Sequence, residues 1–309
     1  YSADVIYHEY THAMVGSTRL QGGFVDDRGL NLQPGALNEA FADYFACTLS
    51  GDPVIGSYAL NDVAGLTVCG VPLFGGGNNA RDLTSDRRCP DDLAGSVHID
   101  GVIFGSALWS IREALGAEKA DAVILGALAD FTNNTDFELA AAAIIAEAGE
   151  TLGSEDKAAV EAVFEQKGVL SCDRRIPIAS VGKHRPLFMY PNGGGEVAPP
   201  VAQFALDVPG GAQQFTLTLD TGGADGFEAA LKPGAEPIYY SGNSHDAFAT
   251  LPFEHLGDDL WAVTFAGSCL SGGPWTLAVH NLGGDFAISS ATVTFSEEAS
   301  AEPNFQCGG

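Results

Sequence analysis

The hydrophobic pattern of the chain changes once, near residue 172, and this change constrains the fold more than any other feature. Up to about Gly168, apolar residues recur at helical spacing, and glycine or proline stands near the expected helix ends. After Cys172, apolar and polar residues alternate in short runs that turn-forming residues separate. The sequence therefore predicts two domains. A mainly α-helical domain spans residues 1–172, and an antiparallel β-sandwich spans residues 173–309.

The pattern also predicts individual elements. Helices are expected over residues 5–15, 36–49, 97–115, 118–131, 136–148 and 155–167. Strands are expected over residues 204–208, 215–219, 260–265, 275–279 and 291–295. Thr135 followed by Glu138 has the spacing of a capping box. The stretch between Gly51 and Gly95 is predicted to be a long loop. Such a loop is either functional or metal-bound, or it is an elaborated surface loop held by a disulfide.

The charge of the chain excludes one class of partner. Aspartate and glutamate total 40 against 14 lysines and arginines, so the formal net charge is −26. A chain this acidic repels phosphate backbones, so no nucleic-acid partner is expected. No apolar run reaches the roughly 18 residues of a spanning helix, so no membrane span is expected either. The acidic excess suits solubility, salt tolerance or calcium binding, and the composition does not choose among them.

Six cysteines are scattered along the chain without a Cys-x-x-Cys pair. This usage argues against a cysteine-built zinc site and favours three disulfides in an oxidising compartment. The alternative is that the cysteines are buried free thiols. Cys69–Cys89 and Cys269–Cys307 are expected because each pair lies within one region of the chain. Cys47–Cys172 is then expected by elimination.

The strongest chemical signal is the run His8-Glu9-Tyr10-Thr11-His12. Residues four apart share one helix face, so His8 and His12 can direct two imidazoles at one zinc ion. Glu9 stands beside them, where it can act as a base without being a ligand. The histidines of the strand-rich part are interpreted as surface or strand residues: His184, His245, His255 and His280.

The next predicted helix carries Asn38, Glu39 and Asp43. A zinc site built on two histidines needs a third ligand, and Glu39 supplies a carboxylate. Asp43 lies four residues further on, and Asp43 and Asn38 can each fix one ligand histidine from behind. Without the two histidines, the same residues would be interpreted as a solvated helix face.

Residues 8–13 followed by 35–43, Gly-Ala-Leu-Asn-Glu-Ala-Phe-Ala-Asp, resemble the thermolysin-like gluzincins, with fungalysins as close relatives. The resemblance covers about residues 4–168 and implies the helical C-terminal lobe of a zincin, a secreted zinc metalloprotease. It implies that His8, His12 and Glu39 are zinc ligands and that Glu9 is the general base. It also implies that Asp43 is the hydrogen-bond partner of His8 and that Asn38 is the partner of His12.

The resemblance extends to three further positions. The segment 96–101 matches the place of a histidine that stabilises the oxyanion, which is His98 here. The family orients this histidine with an aspartate five residues earlier, where this chain has Leu93; Asp92, one position further back, is the candidate orienter. Arg81 resembles the family's arginine for the substrate carbonyl, and a surface arginine is the alternative.

The second domain resembles the pre-peptidase C-terminal domain of secreted bacterial proteases through residues 204–220, 227–232 and 275–295. This resemblance implies an accessory β-sandwich for attachment to substrate or matrix, with Ca²⁺ as a second candidate ion. A generic secreted sandwich is the alternative.

The predicted function is a secreted zinc endopeptidase that acts on a protein or peptide substrate. One alternative is a gluzincin scaffold that keeps zinc and serves as a binding or adhesion module, although the intact Glu9 argues against it. Another is a metal hydrolase acting on bonds other than peptide bonds. In thermolysin-like enzymes a β-rich lobe precedes the zinc helix, and Tyr1 lies only a few residues before His8. The resemblance therefore implies an upstream lobe in the same enzyme or in a partner chain.

Overall fold

The computed structural model describes residues 3–16, 19–20, 22–56, 67–68, 71–72, 81–182, 186–190, 199–242, 244–267, 270–298 and 305–307. The chain forms two compact units. The first comprises Tyr1–Phe24 and Asn31–Asp173, and the second comprises Val25–Leu30 and Arg174–Gly309. Within the described ranges, no helix has the length and apolar character needed to cross a membrane.

The first unit is mainly helical, as predicted. Its α-helices are α1 (Ala3–Val15), α2 (Gln33–Ser50), α3 (Val97–Leu115), α4 (Ala117–Ala127), α5 (Phe137–Thr151) and α6 (Ser154–Gln166), with 3₁₀ turns at Leu128–Asp130 and Val169–Ser171. The strands up to residue 82 are short: β1 (Phe24–Asp26), β2 (Gly29–Asn31), β3 (Val54–Ile55), β4 (Thr67–Val68), β5 (Val71–Pro72) and β6 (Arg81–Asp82). They pair as β1–β2, β3–β6 and β4–β5.

Local sequence explains where two of these helices begin and end. α2 has proline in its first turn and ends at Gly51, whose φ of 74° is left-handed. The start of α5 differs from the predicted capping box. Asp136 is the N-cap, and its carboxylate accepts the Leu139 amide at 2.9 Å. Thr135 instead accepts the Thr132 amide at 2.8 Å, because it lies one residue too early to cap.

The core of the first unit forms where α2 packs on α3. Phe104 is central: its ring centroid lies 6.1 Å from that of Phe41 and 5.4 Å from that of Phe137. α3 approaches α2 closely because it presents glycine there. A Cβ atom at Gly101 would lie 2.9 Å from the carbonyl oxygen of Ala36. The pair of helices is therefore held at a spacing that only glycine permits.

The disulfide prediction was wrong for two of its three pairs. Cys89 bonds to Cys172, with their Cα atoms 5.4 Å apart, and Cys47 is a buried free thiol inside α2. The physical reason is the path of the chain after the long loop. The Cys89 amide donates to the Lys167 carbonyl at 2.9 Å, which brings Cys89 beside the end of α6 and therefore close to Cys172. Cys69 and Cys269 lie outside the described residues.

The second unit is built from strands. They are β7 (Arg175–Pro177), β8 (Leu187–Met189), β9 (Gln203–Val208), β10 (Gln214–Asp220), β11 (Phe227–Pro233), β12 (Tyr240–Ser241), β13 (Ser244–His245), β14 (Ala249–Pro252), β15 (Glu254–Gly257), β16 (Leu260–Gly267), β17 (Gly273–Asn281), β18 (Phe286–Ile288), β19 (Ser290–Ser296) and β20 (Phe305–Cys307). One sheet has the order β15-β16-β10-β19, and the other has the order β14-β11-β17-β9-β7.

Most neighbouring strands in these sheets are antiparallel, as predicted; in one register Leu217 lies opposite Val263. Two pairs differ, because β7 runs parallel to β9 and β20 runs parallel to β16. The sheets contribute large apolar side chains to a shared contact, with the rings of Phe265 and Trp275 5.5 Å apart. The change from helices to strands along the chain is thus confirmed.

The second unit also contains the turn at residues 25–30, which the sequence pattern did not predict. Arg174 donates to both carboxylate oxygens of Asp26 at 2.5 Å. The amide of Tyr240 donates to the carbonyl of Asp27 at 2.7 Å, and Gln203 donates to the carbonyl of Arg28 at 3.0 Å. These bonds explain why the turn belongs to this unit although it lies early in the chain.

Candidate metal centre

α1 presents two imidazoles on one face. His8 and His12 lie one turn apart, which is the spacing that aligns side chains on a helix. Their ring centroids are 4.5 Å apart, and their Nε2 atoms face each other at 3.0 Å. His8 is buried and His12 is partly buried.

Glu39 on α2 directs its carboxylate at the same point. Its Oε2 atom lies 3.4 Å from Nε2 of His8, and its Oε1 atom lies 3.6 Å from Nε2 of His12. In the described part of the chain, these three residues form the only group of at least three side chains that could hold one metal ion.

The spacing of the donor atoms fits zinc. Bonds of roughly 2.1 Å in a tetrahedral arrangement place neighbouring donor atoms about 3.4 Å apart. The separation between the two Nε2 atoms is 3.0 Å, and those from Nε2 of His8 and of His12 to the two carboxylate oxygens of Glu39 are 3.4 and 3.6 Å. Two imidazoles and one carboxylate are also the donor set of catalytic zinc sites that leave the fourth position open. The three residues therefore fit a zinc ion with room for water or substrate.

Two residues of α2 hold the imidazoles from behind. Oδ1 of Asp43 lies 2.8 Å from Nδ1 of His8, and Oδ1 of Asn38 lies 2.9 Å from Nδ1 of His12. Asn38 is itself oriented, because its Nδ2 group donates to the carbonyl of Leu20 at 2.9 Å. Both acceptors favour the tautomer with the proton on Nδ1, which leaves the Nε2 lone pairs free for a metal.

Arg81, on β6, binds the far side of Asp43. Its Nε atom donates to Oδ2 and one terminal nitrogen donates to Oδ1, each at 2.6 Å. The same terminal nitrogen lies 3.4 Å from Nδ1 of His8. Through these contacts Arg81 binds Asp43, the buried residue that holds the imidazole of His8.

The pKa values show that the site favours positive charge. Burial lowers the pKa of His8, but its bonds to Asp43 and Glu39 outweigh burial and raise that pKa from 6.5 to about 9. Burial raises the pKa of Glu39, yet the bonds from His8 and His98 hold it well below its ordinary value. Burial likewise raises the pKa of Asp43, and the charge of Arg81 is the main effect that lowers it instead. Two anionic carboxylates therefore face the imidazoles.

The two predicted catalytic side chains differ in their surroundings. Glu9 is exposed on α1, next to His8 in sequence. His98, in the first turn of α3, is 49% exposed, and its Nδ1 atom lies 2.8 Å from Oε2 of Glu39. The structure thus brings His98 to Glu39, one of the three candidate metal ligands, although the two residues are 59 positions apart in the chain (98 − 39).

The two aspartates near His98 lie in different settings. Oδ2 of Asp92 accepts the amide of Arg88 at 2.9 Å. Asp100, which was not among the predicted site residues, is buried and accepts the amides of Ala94 at 2.7 Å and Gly95 at 3.0 Å. The sequence signal that could have revealed Asp100 is an acidic residue in the first turn of an otherwise apolar helix that follows a glycine.

The remaining histidines that the structure describes belong to the second unit. His280 is buried, with Nε2 2.7 Å from the Tyr240 hydroxyl and Nδ1 3.3 Å from Oε1 of Glu228. His245 lies beside it, with ring centroids 4.9 Å apart. His255 is exposed and packs on Trp261. His184 lies outside the described residues.

Comparisons with known proteins place the helical part in a family. The sequence model described as "Fungalysin metallopeptidase" matches residues 1–169, which is more than half of the chain. A bacillolysin from Bacillus amyloliquefaciens and the neutral protease NprE from Bacillus pumilus are each 30% identical over 176 residues, or 54% of this chain. The match covers 32% of the bacillolysin and 55% of NprE, so the chain spans just under a third of one of these curated relatives and just over half of the other.

Two solved structures are similar at low sequence identity. The precursor of protealysin, a metalloproteinase from Serratia proteamaculans, is 19% identical with a TM-score of 0.40, and the match covers 54% of this chain and 57% of that one. The pre-peptidase C-terminal domain of a collagenase from Bacillus anthracis is 13% identical with a TM-score of 0.21, and the match covers 35% of this chain and 87% of that domain.

Proposed function

The chain belongs to the fungalysin metallopeptidase family, and from this membership we propose that it carries the zinc site of an endopeptidase that hydrolyses peptide bonds. The observation that carries the proposal is the convergence of His8, His12 and Glu39: the two Nε2 atoms lie 3.0 Å apart, and they lie 3.4 and 3.6 Å from Oε2 and Oε1 of Glu39, respectively. Asp43 and Asn38 orient the two imidazoles for this purpose.

The side chains around the site have distinct roles in this proposal. When bound, zinc polarises the scissile carbonyl and lowers the pKa of water. Glu9 takes the proton of the attacking water and passes it to the leaving amine. His98 donates a hydrogen bond to the carbonyl oxygen as negative charge develops there. Arg81 uses N–H groups not directed at Asp43 to hold a substrate carbonyl, and Asp92 supports the segment before His98.

The second unit is proposed to be a β-sandwich accessory domain, with the domain division near residue 172. Its two sheets and the contact between Phe265 and Trp275 support this arrangement. We further propose that the enzyme is secreted. The disulfide between Cys89 and Cys172 supports an oxidising compartment, and calcium remains a second candidate ion.

An upstream β-rich lobe is the proposed partner of α1. Ile6, Tyr10 and Met14 are 53, 64 and 54% exposed. They recur every four residues, so they form one apolar face on the helix that carries the zinc ligands. Exposed apolar faces of this kind mark protein contacts. A lobe in the same enzyme or in a partner chain would cover this face and complete the substrate cleft.

The test of the proposed function removes only the base. Glu9→Gln in the zinc-loaded enzyme should retain zinc and lose at least about 100-fold in kcat. Glu150→Gln changes an exposed glutamate on α5 and should leave both unchanged. Cleavage of casein is measured in a zymogram with and without chelator. Chelator-sensitive cleavage by wild type but not by E9Q supports the proposal, whereas zinc binding without cleavage by wild type favours the scaffold alternative.

The upstream lobe has its own test. Peptide hydrolysis by this chain alone is compared with hydrolysis by the chain joined to the lobe, at equal zinc. We expect a lower kcat/KM for the chain alone. Comparable values would mean that this chain builds the cleft by itself.

A further inference from the structure

The carboxylate of Asp100 is buried under the start of α3. It accepts the amide protons of two consecutive residues, at 2.7 Å from Ala94 N to Oδ1 and at 3.0 Å from Gly95 N to Oδ2. The chain can wrap around the carboxylate because Gly95 adopts a left-handed φ of 71°. Ala94 and Gly95 are therefore tied to a side chain one turn inside the helix that follows them.

This bond set replaces an ordinary helix cap. Ser96 is the N-cap residue of α3, yet its side chain makes no capping hydrogen bond. The Asp100 amide donates to the carbonyl of Ser96 at 2.7 Å. Asp100 is thus joined to the residues before the helix by its amide, which binds Ser96, and by its carboxylate, which binds Ala94 and Gly95. The first turn of α3 has little freedom to fray or shift.

His98 lies at the middle of this closed turn. Its backbone is held on both sides, whereas its half-exposed side chain has Glu39 as its polar contact within the described residues. The packing of α3 on α2 then fixes the turn relative to Glu39. A Cβ atom at Gly101 would lie 3.1 Å from Cβ of Glu39, so the two backbones are already in close contact there.

Stability alone does not explain a carboxylate at this position. Burial raises the pKa of Asp100 to about 7, against the opposing effect of the backbone amides of residues 94–96. Ionising a buried group costs desolvation free energy that a neutral side chain would avoid. A carboxylate, however, offers two acceptor oxygens, and here each oxygen accepts one amide.

We infer that Asp100 is a positioning residue for His98: its carboxylate closes the turn 94–100 and thereby sets where the imidazole meets the scissile carbonyl. The inference rests on the proposed function, in which His98 stabilises the oxyanion. It assigns to the backbone the support that the family pattern places in an aspartate five residues before the histidine, where this chain has Leu93.

The test is a double-mutant cycle in the active, zinc-loaded enzyme. Asp100→Asn replaces one acceptor oxygen by an NH₂ group that faces an amide donor. We expect kcat to fall about tenfold with KM and zinc affinity within about twofold of wild type, because the ligands are untouched. His98→Ala should lower kcat about 100-fold. In the H98A background, D100N should cost no more than about twofold further, because residues that act through one another are not additive.

The matched control is Asp136→Asn. Asp136 is also an aspartate at a helix start that accepts a backbone amide, but it lies on α5. Its substitution should lower stability and leave kcat unchanged in both backgrounds. A second readout does not use activity: D100N should speed hydrogen exchange of the amides of residues 94–96, while zinc competition against a chelator stays the same. If D100N does not fold, Asp100→Ser, which keeps one acceptor oxygen, takes its place.

The outcomes separate the inference from the proposed function. An equal loss of kcat from D100N with and without His98, or unchanged exchange at residues 94–96, overturns the inference and leaves the peptidase intact. Full activity of H98A overturns the inference together with the role of His98. Full activity of E9Q overturns the proposed mechanism itself, whatever D100N does.

Discussion

Nδ1 of His8 lies 2.8 Å from Oδ1 of Asp43, and this contact connects a proposed metal ligand to a charged pair in the protein interior. The other oxygen of Asp43 accepts a hydrogen bond from Arg81 at 2.6 Å. Asp43 is fully buried and Arg81 is mostly buried, so neither charge is compensated by water. The orientation of His8 therefore depends on an ion pair that must stay intact for the core to remain stable.

Asp43→Ala is the first prediction. Loss of the carboxylate frees the His8 ring, so zinc affinity should fall about 10–100-fold. It also leaves Arg81 as an unpaired buried charge, so the free energy of unfolding should fall by about 3–5 kcal/mol. Competition against a chelator measures the first effect, and urea unfolding with zinc removed measures the second.

The matched control for this change is Asp121→Ala. Asp121, on α4, accepts two hydrogen bonds from Arg112 of α3, at 2.9 and 3.1 Å, and one each from Tyr44 and Thr48 of α2, at 2.6 and 3.1 Å. None of these four bonds involves His8, His12 or Glu39. Loss of Asp121 should lower stability without changing zinc affinity. Equal zinc affinity in wild type and D43A would contradict the support of His8 by Asp43.

The second prediction concerns the bond between Cys89 and Cys172. It closes a loop with a sequence separation of 83, so it restricts the unfolded chain strongly. Replacing both cysteines by alanine should lower the free energy of unfolding by about 2–5 kcal/mol. The measurement is urea unfolding with and without reductant. Reductant should destabilise wild type by about 2–5 kcal/mol more than it destabilises the double variant, and a wild type insensitive to reductant would contradict the pairing.

The clustering of His8, His12 and Glu39 was predictable from sequence because its parts are local. His8 and His12 are four residues apart on one helix, and Glu39 and Asp43 are four residues apart on the next. Helical periodicity alone therefore places each pair on one face. The family resemblance, now confirmed by the family match over residues 1–169, supplied the step that joins the two helices.

What the sequence did not predict depends on contacts between distant segments. The partner of Cys89 is set by the backbone bond to Lys167, 78 residues away (167 − 89), and no pattern near either residue indicates it. The role of Asp100 was also not predicted, because it too depends on a contact with another segment. Its acidic side chain in a first turn is typical of a helix-dipole interaction, and only the left-handed Gly95 turns the preceding amides towards it.

The third prediction compares two glycines of α3. A Cβ atom at Gly101 would meet the Ala36 carbonyl oxygen at 2.9 Å, whereas one at Gly105 would meet the end of the Leu83 side chain at 3.0 Å. A backbone atom cannot move aside as a side-chain methyl can. Gly101→Ala should therefore cost about 1–3 kcal/mol, and in Gly105→Ala the gain in helix propensity should offset most of the strain.

Urea unfolding of both variants in the metal-free state checks this prediction, with zinc competition as a second measurement. Because Gly101 also packs on Glu39, G101A should weaken zinc binding while G105A should not. Equal stabilities for the two variants would mean that α2 and α3 can separate more easily than their close contact indicates.

The last prediction is a pH dependence of the metal-free protein. Bonds to Asp43 and Glu39 outweigh burial and raise the pKa of His8 from 6.5 to about 9. The charged imidazole therefore contributes stability that is fully present below about pH 6.5 and is lost as the pH rises through about 9. Zinc requires the unprotonated ring, so its binding releases this proton, and the apparent affinity should rise about tenfold per pH unit across the same window. Chelator competition and urea unfolding at several pH values between 6 and 9.5 give both curves. An affinity that stays flat from pH 7 to 9 would show that His8 is already neutral and that Asp43 and Glu39 do not hold its proton.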